Sequence, residues 1–185
     1  MKSQITIKKI QDLLIKGVQT IHVEDDTSRR MWWASLEVIQ KDFLSQNYKH
    51  GGIWVASPLP AFNHKKFLNH FHGWLWSPEG FPYFQNDNAG FLPVNNPEKE
   101  KKDFDLVTNY KVLNLCQGDG YEPFLMLITP NFQCILSIVG KKDKKILLMK
   151  CDEESLKLSI ELMHAKLNQE NYEEGLKFRL SLIHI

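Results

Sequence analysis

The sequence predicts an α+β domain: an antiparallel sheet with flanking helices and an outgoing C-terminal helix. Three apolar, β-branched runs carry most of that reading. Phe124–Pro130 (FLMLITP), Phe132–Gly140 (FQCILSIVG) and Lys145–Cys151 (KILLMKC) are joined only by Asn131 and Lys141–Lys144, the pattern of an antiparallel meander. The stretch that follows, Asp152 to about Asn168, carries Leu156, Ile160, Met163 and Leu167 at 4-3-4 spacing, which predicts an amphipathic helix. That apolar seam suits either the sheet or a partner helix in a dimer.

Upstream, Thr6–Lys16 reads as a short helix with Ile7, Ile10, Leu13 and Leu14 on one face and Gly17 as its stop. Val18–Val23 (VQTIHV) alternates as a strand. Asp25, Asp26, Thr27 and Ser28 offer caps for a helix from Arg29 to about Gln46, with Trp32, Trp33, Leu36, Ile39 and Phe43 as its stripe. Gly52–Ser57 (GIWVAS) predicts a short buried strand closed by Pro58 and Pro60. Asn63 is placed to cap a third helix, His64 to about Trp76. Ser77–Asn96 then interleaves Pro78, Gly80, Pro82 and Gly90 with Phe81, Tyr83, Phe84 and Phe91, which reads as a packed aromatic surface loop. Pro97–Asp105 is a charged run. Tyr110–Cys116 (YKVLNLC) is a further strand, ended by the turn Gly118–Gly120.

A chain of 185 residues with 43% apolar and 24% charged residues is one globular domain with a core. A net charge of +1 gives no electrostatic case for a nucleic-acid or membrane partner. No apolar run approaches the ~20 residues that span a bilayer, and the first residues lack a secretory h-region. Cys116, Cys134 and Cys151 are an odd number without CxxC spacing. The expected setting is cytoplasmic and reduced, with Cys134 and Cys151 as small hydrophobes in strands.

Several residues are candidates for binding. Arg29 and Arg30 could clamp an anion or simply form local ion pairs at the helix start. Trp32, Trp33, Trp74 and Trp76, with Phe81 and Tyr83 of the loop, could line a pocket for a flat apolar ligand or pack in the core. Cys116, at a strand end beside a tight turn, is the best-placed thiol, with a structural role as the plainer reading. His64, His70 and His72 lack the acidic or Cys ligands of a metal site and default to core or surface histidines. No nucleophile elbow, phosphate loop or paired carboxylates mark an enzyme, although His70, Cys116 and Asp119 would form a cleft if the fold brought them together. No motif identifies a cofactor.

Three segments carry a resemblance: TSRRMWWASLEVI (Thr27–Ile39), SPEGFPYFQNDNAGFLPVNNPE (Ser77–Glu98) and LITPNFQCILSIVG (Leu127–Gly140). In their layout the chain resembles the N-terminal sensory, DICT-like input domain of cyanobacterial two-component sensor histidine kinases. The PAS and GAF sensor folds are comparable alternatives. The resemblance implies a sensory domain at 1–151, a C-terminal signalling helix at 152–179, and a kinase core further along the same parent chain. The chain itself carries none of that core. His164 in ELMHAKLN lacks a phospho-acceptor pattern, and there is no asparagine box or ATP lid. Leu180–Ile185 (LSLIHI) reads as a non-native tail. The expected function is therefore a non-enzymatic input domain that couples a signal to output through its C-terminal helix, with a homodimer through that helix as an option. A stand-alone module for a flat aromatic or tetrapyrrole-like ligand is the alternative.

Overall fold

A computed structural model describes residues 4–18, 21–45, 48–58, 61–62, 67, 70–79, 109–141, 143–183 and 185. The α+β class holds. A six-stranded sheet carries helices on both faces and ends in C-terminal helices.

Helix α1 is Ile7–Leu14, capped by Thr6, whose hydroxyl accepts from the Lys9 amide at 3.2 Å. Its buried face is Ile7, Ile10, Gln11 and Leu14. Gln11 Nε2 reaches across to donate to Ser137 Oγ at 2.9 Å. The strand expected at Val18–Val23 reduces to a single antiparallel bridge between Val23 and Lys145; positions 19–20 lie outside the described residues. The chain leaves that edge at once because helix α2 starts at Asp25 and not at Arg29. Asp25 and Asp26, expected as caps, occupy the first helical turn, where their charge complements the helix dipole.

Helix α2 (Asp25–Val38) runs into a π-helical turn, Ile39–Leu44. Trp32, Leu36 and Ile39 are buried as expected, but Trp33 is 47% exposed and the next buried position is Leu44 instead of Phe43. The wider turn explains the shift. Ser45 N bonds to Gln40 O at 3.0 Å, one residue further back than in an α-helix, so the apolar face slips by one. Phe43 stacks on Phe132 at the rim, ring centroids 4.1 Å apart.

The strands are β1 (Gly52–Ser57), β2 (Phe71–Ser77), β3 (Tyr110–Asn114), β4 (Phe124–Ile128), β5 (Gln133–Lys141) and β6 (Lys144–Lys150), in sheet order β3-β2-β1-β4-β5-β6. The meander β4-β5-β6 is antiparallel as expected, and β4 continues antiparallel onto β1. The other half is not: β1, β2 and β3 are parallel, so the sheet is mixed and not antiparallel throughout. Parallel neighbours need long crossovers, and the two long connections, 58–70 and 78–109, fall where these are required.

The helix expected at His64–Trp76 is corrected from Phe71 onward, since Phe71–Ser77 is strand β2; before it, residues 67 and 70 are helical. Its run FHGWLWS is apolar almost throughout because both faces of the strand are covered. Gly73 shows why a helix was the wrong reading. A Cβ there would lie 2.2 Å from Trp54 Cε2, so glycine marks a close approach to a neighbouring strand and not a weak helix position.

Alternation sorts the strand residues into two layers. Ile53, Val55, Trp74, Trp76, Phe124, Met126 and Ile135 face α1 and the C-terminal helices. Trp54, Ala56, Leu75, Leu125, Leu127, Cys134 and Leu136 face α2. Cys134 is buried in this second layer, whereas Cys151 lies just past β6 and is exposed, which corrects its expected place inside a strand.

The C-terminal stretch forms two helices, α3 (Glu153–Glu170) and α4 (Tyr172–Ile183). Asp152 caps α3, accepting from Ser155 N at 2.9 Å. Asn171 leaves helical geometry (φ −156°, ψ 108°) and its side chain accepts from the amides of Glu173 and Glu174, which starts α4. The hairpin closes tightly: a Cβ on Gly175 would fall 2.0 Å from Asn168 Oδ1. Leu156, Met163 and Leu167 are buried against the sheet with Ile160 packed beside them, so the 4-3-4 seam is spent within the chain. Residues 180–183 continue α4, and Leu182 and Ile185 pack on the same core.

Candidate functional site

Strand β2 turns His72, Trp74 and Trp76 toward the C-terminal helices, and each meets a polar group there. His72 Nδ1 lies 2.8 Å from Ser181 Oγ. Trp74 Nε1 donates to Glu174 Oε2 at 2.9 Å, and Trp76 Nε1 donates to Glu170 Oε2 at 2.7 Å. The indoles are nearly inaccessible, so each N–H needs such an acceptor. One face of one strand thus holds the hairpin at three successive positions.

Around Trp76 the contacts merge into a buried charge network. Lys166, fully buried, donates to Asp119 Oδ1 at 2.8 Å and to Glu170 Oε1 at 2.6 Å. Its ammonium also lies 5.2 Å from the Trp76 ring centroid. Asp119, the middle residue of the Gly118–Gly120 turn, further accepts from Ile7 N at 2.9 Å and from Cys116 N at 2.8 Å. One carboxylate therefore ties the start of α1, the turn after β3 and helix α3 together. Burial of a pair this well bonded fits the requirement that interior charges be matched. Cys116 Sγ, Asp119 and Glu170 offer ligand atoms within 4.8 Å of one another, but the Lys166 ammonium already provides the positive charge at that point. The Cys116 thiol is pushed above its ordinary value, first by burial and then by the Glu170 charge, the reverse of what an activated nucleophile requires.

Toward the other end of β2 the hairpin and the strands part into a groove of about 530 Å³. His72, Trp74, Tyr110, Lys111, Glu174 and Lys177 line it, with Gly73, Asn109, Leu180 and Ser181. Glu174 is the centre of its electrostatics. Burial alone would raise its carboxyl, but hydrogen bonds from Lys177 and Trp74, with the charges of Lys177 and Lys111, hold it below the ordinary value. Lys177 Nζ sits 2.9 Å from Glu174 Oε1 with its side chain 63% exposed.

The residues expected to bind a ligand are only partly brought together. Trp74 lines the groove; Trp76 and Cys116 belong to the charge network. Arg29, Arg30, Trp32 and Trp33 are on α2, whose buried face packs on the opposite side of the sheet. Arg29 is engaged locally, its Nε donating to Asp25 Oδ2 at 2.8 Å, and Trp32 is core. Phe81 and Tyr83 lie outside the described residues, as do His64 and most of the aromatic loop. His70 precedes β2 and Cys116 follows β3, and those strands are parallel. The triple His70, Cys116 and Asp119 is therefore spread over both ends of the sheet. Lys166, Glu170 and Glu174 escaped the sequence reading as site residues, and Asp119 was read only with His70 and Cys116. A usable signal was Lys166, a charge three residues from Met163 along the apolar stripe of α3.

Residues 8–185 match a family model described as Domain of unknown function (DUF8628). No curated protein and no solved structure matches the chain.

Proposed function

The chain belongs to the DUF8628 family, and we propose that it is a ligand-responsive regulatory module. A small molecule enters the groove between β2–β3 and α4 and biases how the C-terminal hairpin sits on the sheet. One observation carries this reading: His72 and Trp74 line the groove and also hold α4, through Ser181 and Glu174. An occupant thus meets the contacts that dock the helix. The shift it produces equals its difference in affinity for the docked and loosened states. The output partner proposed for the module is a histidine kinase core in the same parent chain, as the sensory resemblance implies, and a cytoplasmic location goes with it. No helix among the described residues is long and apolar enough to cross a membrane. A homodimer would have to use surface other than the α3 seam.

Amide hydrogen exchange tests this. The purified chain is compared with and without a cell extract filtered to retain only small molecules. The module reading expects slowed or accelerated exchange concentrated in 172–183, and loss of that response in Trp74→Phe. Thermal stabilisation by the extract with no change in 172–183 would instead support a stand-alone binding module, to which the aromatic lining of Trp74 and Tyr110 is also suited.

A further inference from the structure

We infer that the groove binds a small monoanion, a carboxylate on an apolar body, held between Lys111 and Lys177; this rests on the groove being the module's ligand site.

Among the residues that line the groove, Lys111 and Lys177 are cationic and Glu174 is anionic; Glu173, outside the lining, also acts on Lys177. Lys177 is paired with Glu174, whereas Lys111 has no ion pair among the described residues. The lining itself thus carries one positive charge in excess, which favours a single negative one within the groove. Glu174 does not invite a cation in return. Its Oε2 takes the Trp74 indole N–H and its Oε1 the Lys177 ammonium, so both oxygens are in use.

The remaining wall is part apolar and part polar. Its apolar part comes from half-exposed Leu180, the edge of the Trp74 ring and the lysine stems, beside the polar His72, Asn109 and Ser181. A volume of about 530 Å³ is of small-molecule size. A ligand carboxylate bridging the two ammonium groups would form charge-assisted hydrogen bonds and draw Lys177 off Glu174. Glu174 is also the acceptor of the Trp74 indole N–H, so the ligand's charge acts on the residue that ties β2 to α4.

Three carboxylates serve as probes: benzoate, 1-naphthoate and indole-3-carboxylate, each beside its neutral carboxamide. The readout is the indole N–H resonance of Trp74 in isotope-labelled protein. The expected result is a saturable shift by at least one carboxylate, with its amide at least about tenfold weaker. Lys111→Gln combined with Lys177→Gln should remove that preference while leaving the melting temperature near wild type, because both lysines are exposed. No saturation by any carboxylate up to about 1 mM, equal binding of the amides, or an unchanged preference in the double variant would each overturn the assignment. Saturable, lysine-dependent binding without any change of exchange in 172–183 would keep the anion site and remove the coupling to α4. Exchange in 172–183 that answers the extract but none of the carboxylates would keep the coupling and overturn the anion.

Discussion

Lys166 Nζ and Asp119 Oδ1 meet at 2.8 Å with neither side chain exposed, 47 residues apart in the chain. Asp119 also holds two backbone amides, Ile7 N and Cys116 N. Removing it strands a buried ammonium with only the partly exposed Glu170 and frees two amides. Asp119→Ala should therefore cost about 3–5 kcal/mol in chemical denaturation. Asp119→Asn, which keeps an acceptor for one of the two amides, should cost less. Equal losses for the two would mean that the charge, and not the amide bonds, matters at this position.

Gly73 sits beneath the Trp54 indole, with no room for a Cβ. Gly73→Ala should destabilise the domain by about 1–3 kcal/mol, as overpacking of a close-packed interior does. The loss should shrink when Trp54→Phe is present, because the smaller ring vacates that space. A double-mutant cycle by thermal melting reads the coupling; a value near zero would contradict the contact.

Acid should loosen α4. The Glu174 carboxyl lies below its ordinary value of 4.5 in the folded chain, so the unfolded chain binds that proton more readily. Its contribution is complete above the unfolded value and is lost as pH falls through the lower folded one. Tryptophan fluorescence and the Trp74 indole resonance should thus change below about pH 4.5, and Glu174→Gln should flatten the stability profile in that window. A step already complete above about pH 5 would assign the transition to another group.

The three thiols should separate cleanly in an alkylation experiment. Burial pushes Cys134 up to about 12, and it is wholly inaccessible. Cys116 and Cys151 are raised too, first by burial and then by Glu170 and Asp152 respectively. With iodoacetamide at about pH 8, where thiolate drives the reaction, exposed Cys151 should react first and half-buried Cys116 more slowly. Cys134 should react only on unfolding. Mass spectrometry of the digested protein gives the order, and modification of native Cys134 at the rate of Cys151 would refute it.

What was legible without the fold was local. The β4-β5-β6 meander, α1 with its Thr6 cap, and α3 with its Asp152 cap follow from runs, short joins and cap residues that act over a few positions. Phe43 was misplaced because the π turn Ile39–Leu44 shifts the phase of the stripe, which spacing alone does not reveal. Trp33, upstream of that turn, lies on the exposed edge of the stripe set by Trp32, Leu36 and Ile39. Strand β2 was misread because a strand buried on both faces loses its alternation.

The sequence by itself thus determined the α+β class, the antiparallel half of the sheet and the apolar seam of α3. Only the tertiary structure decided that β1, β2 and β3 run parallel, that the seam faces the sheet, and which polar groups meet. Trp74 and Glu174 are 100 residues apart, and Trp76 and Glu170 are 94 apart. Their contacts exist because the crossovers bring β2 under the hairpin and desolvated N–H and ammonium groups must find acceptors there. Pairing of that kind is set by burial in three dimensions, and it leaves no periodicity in the chain.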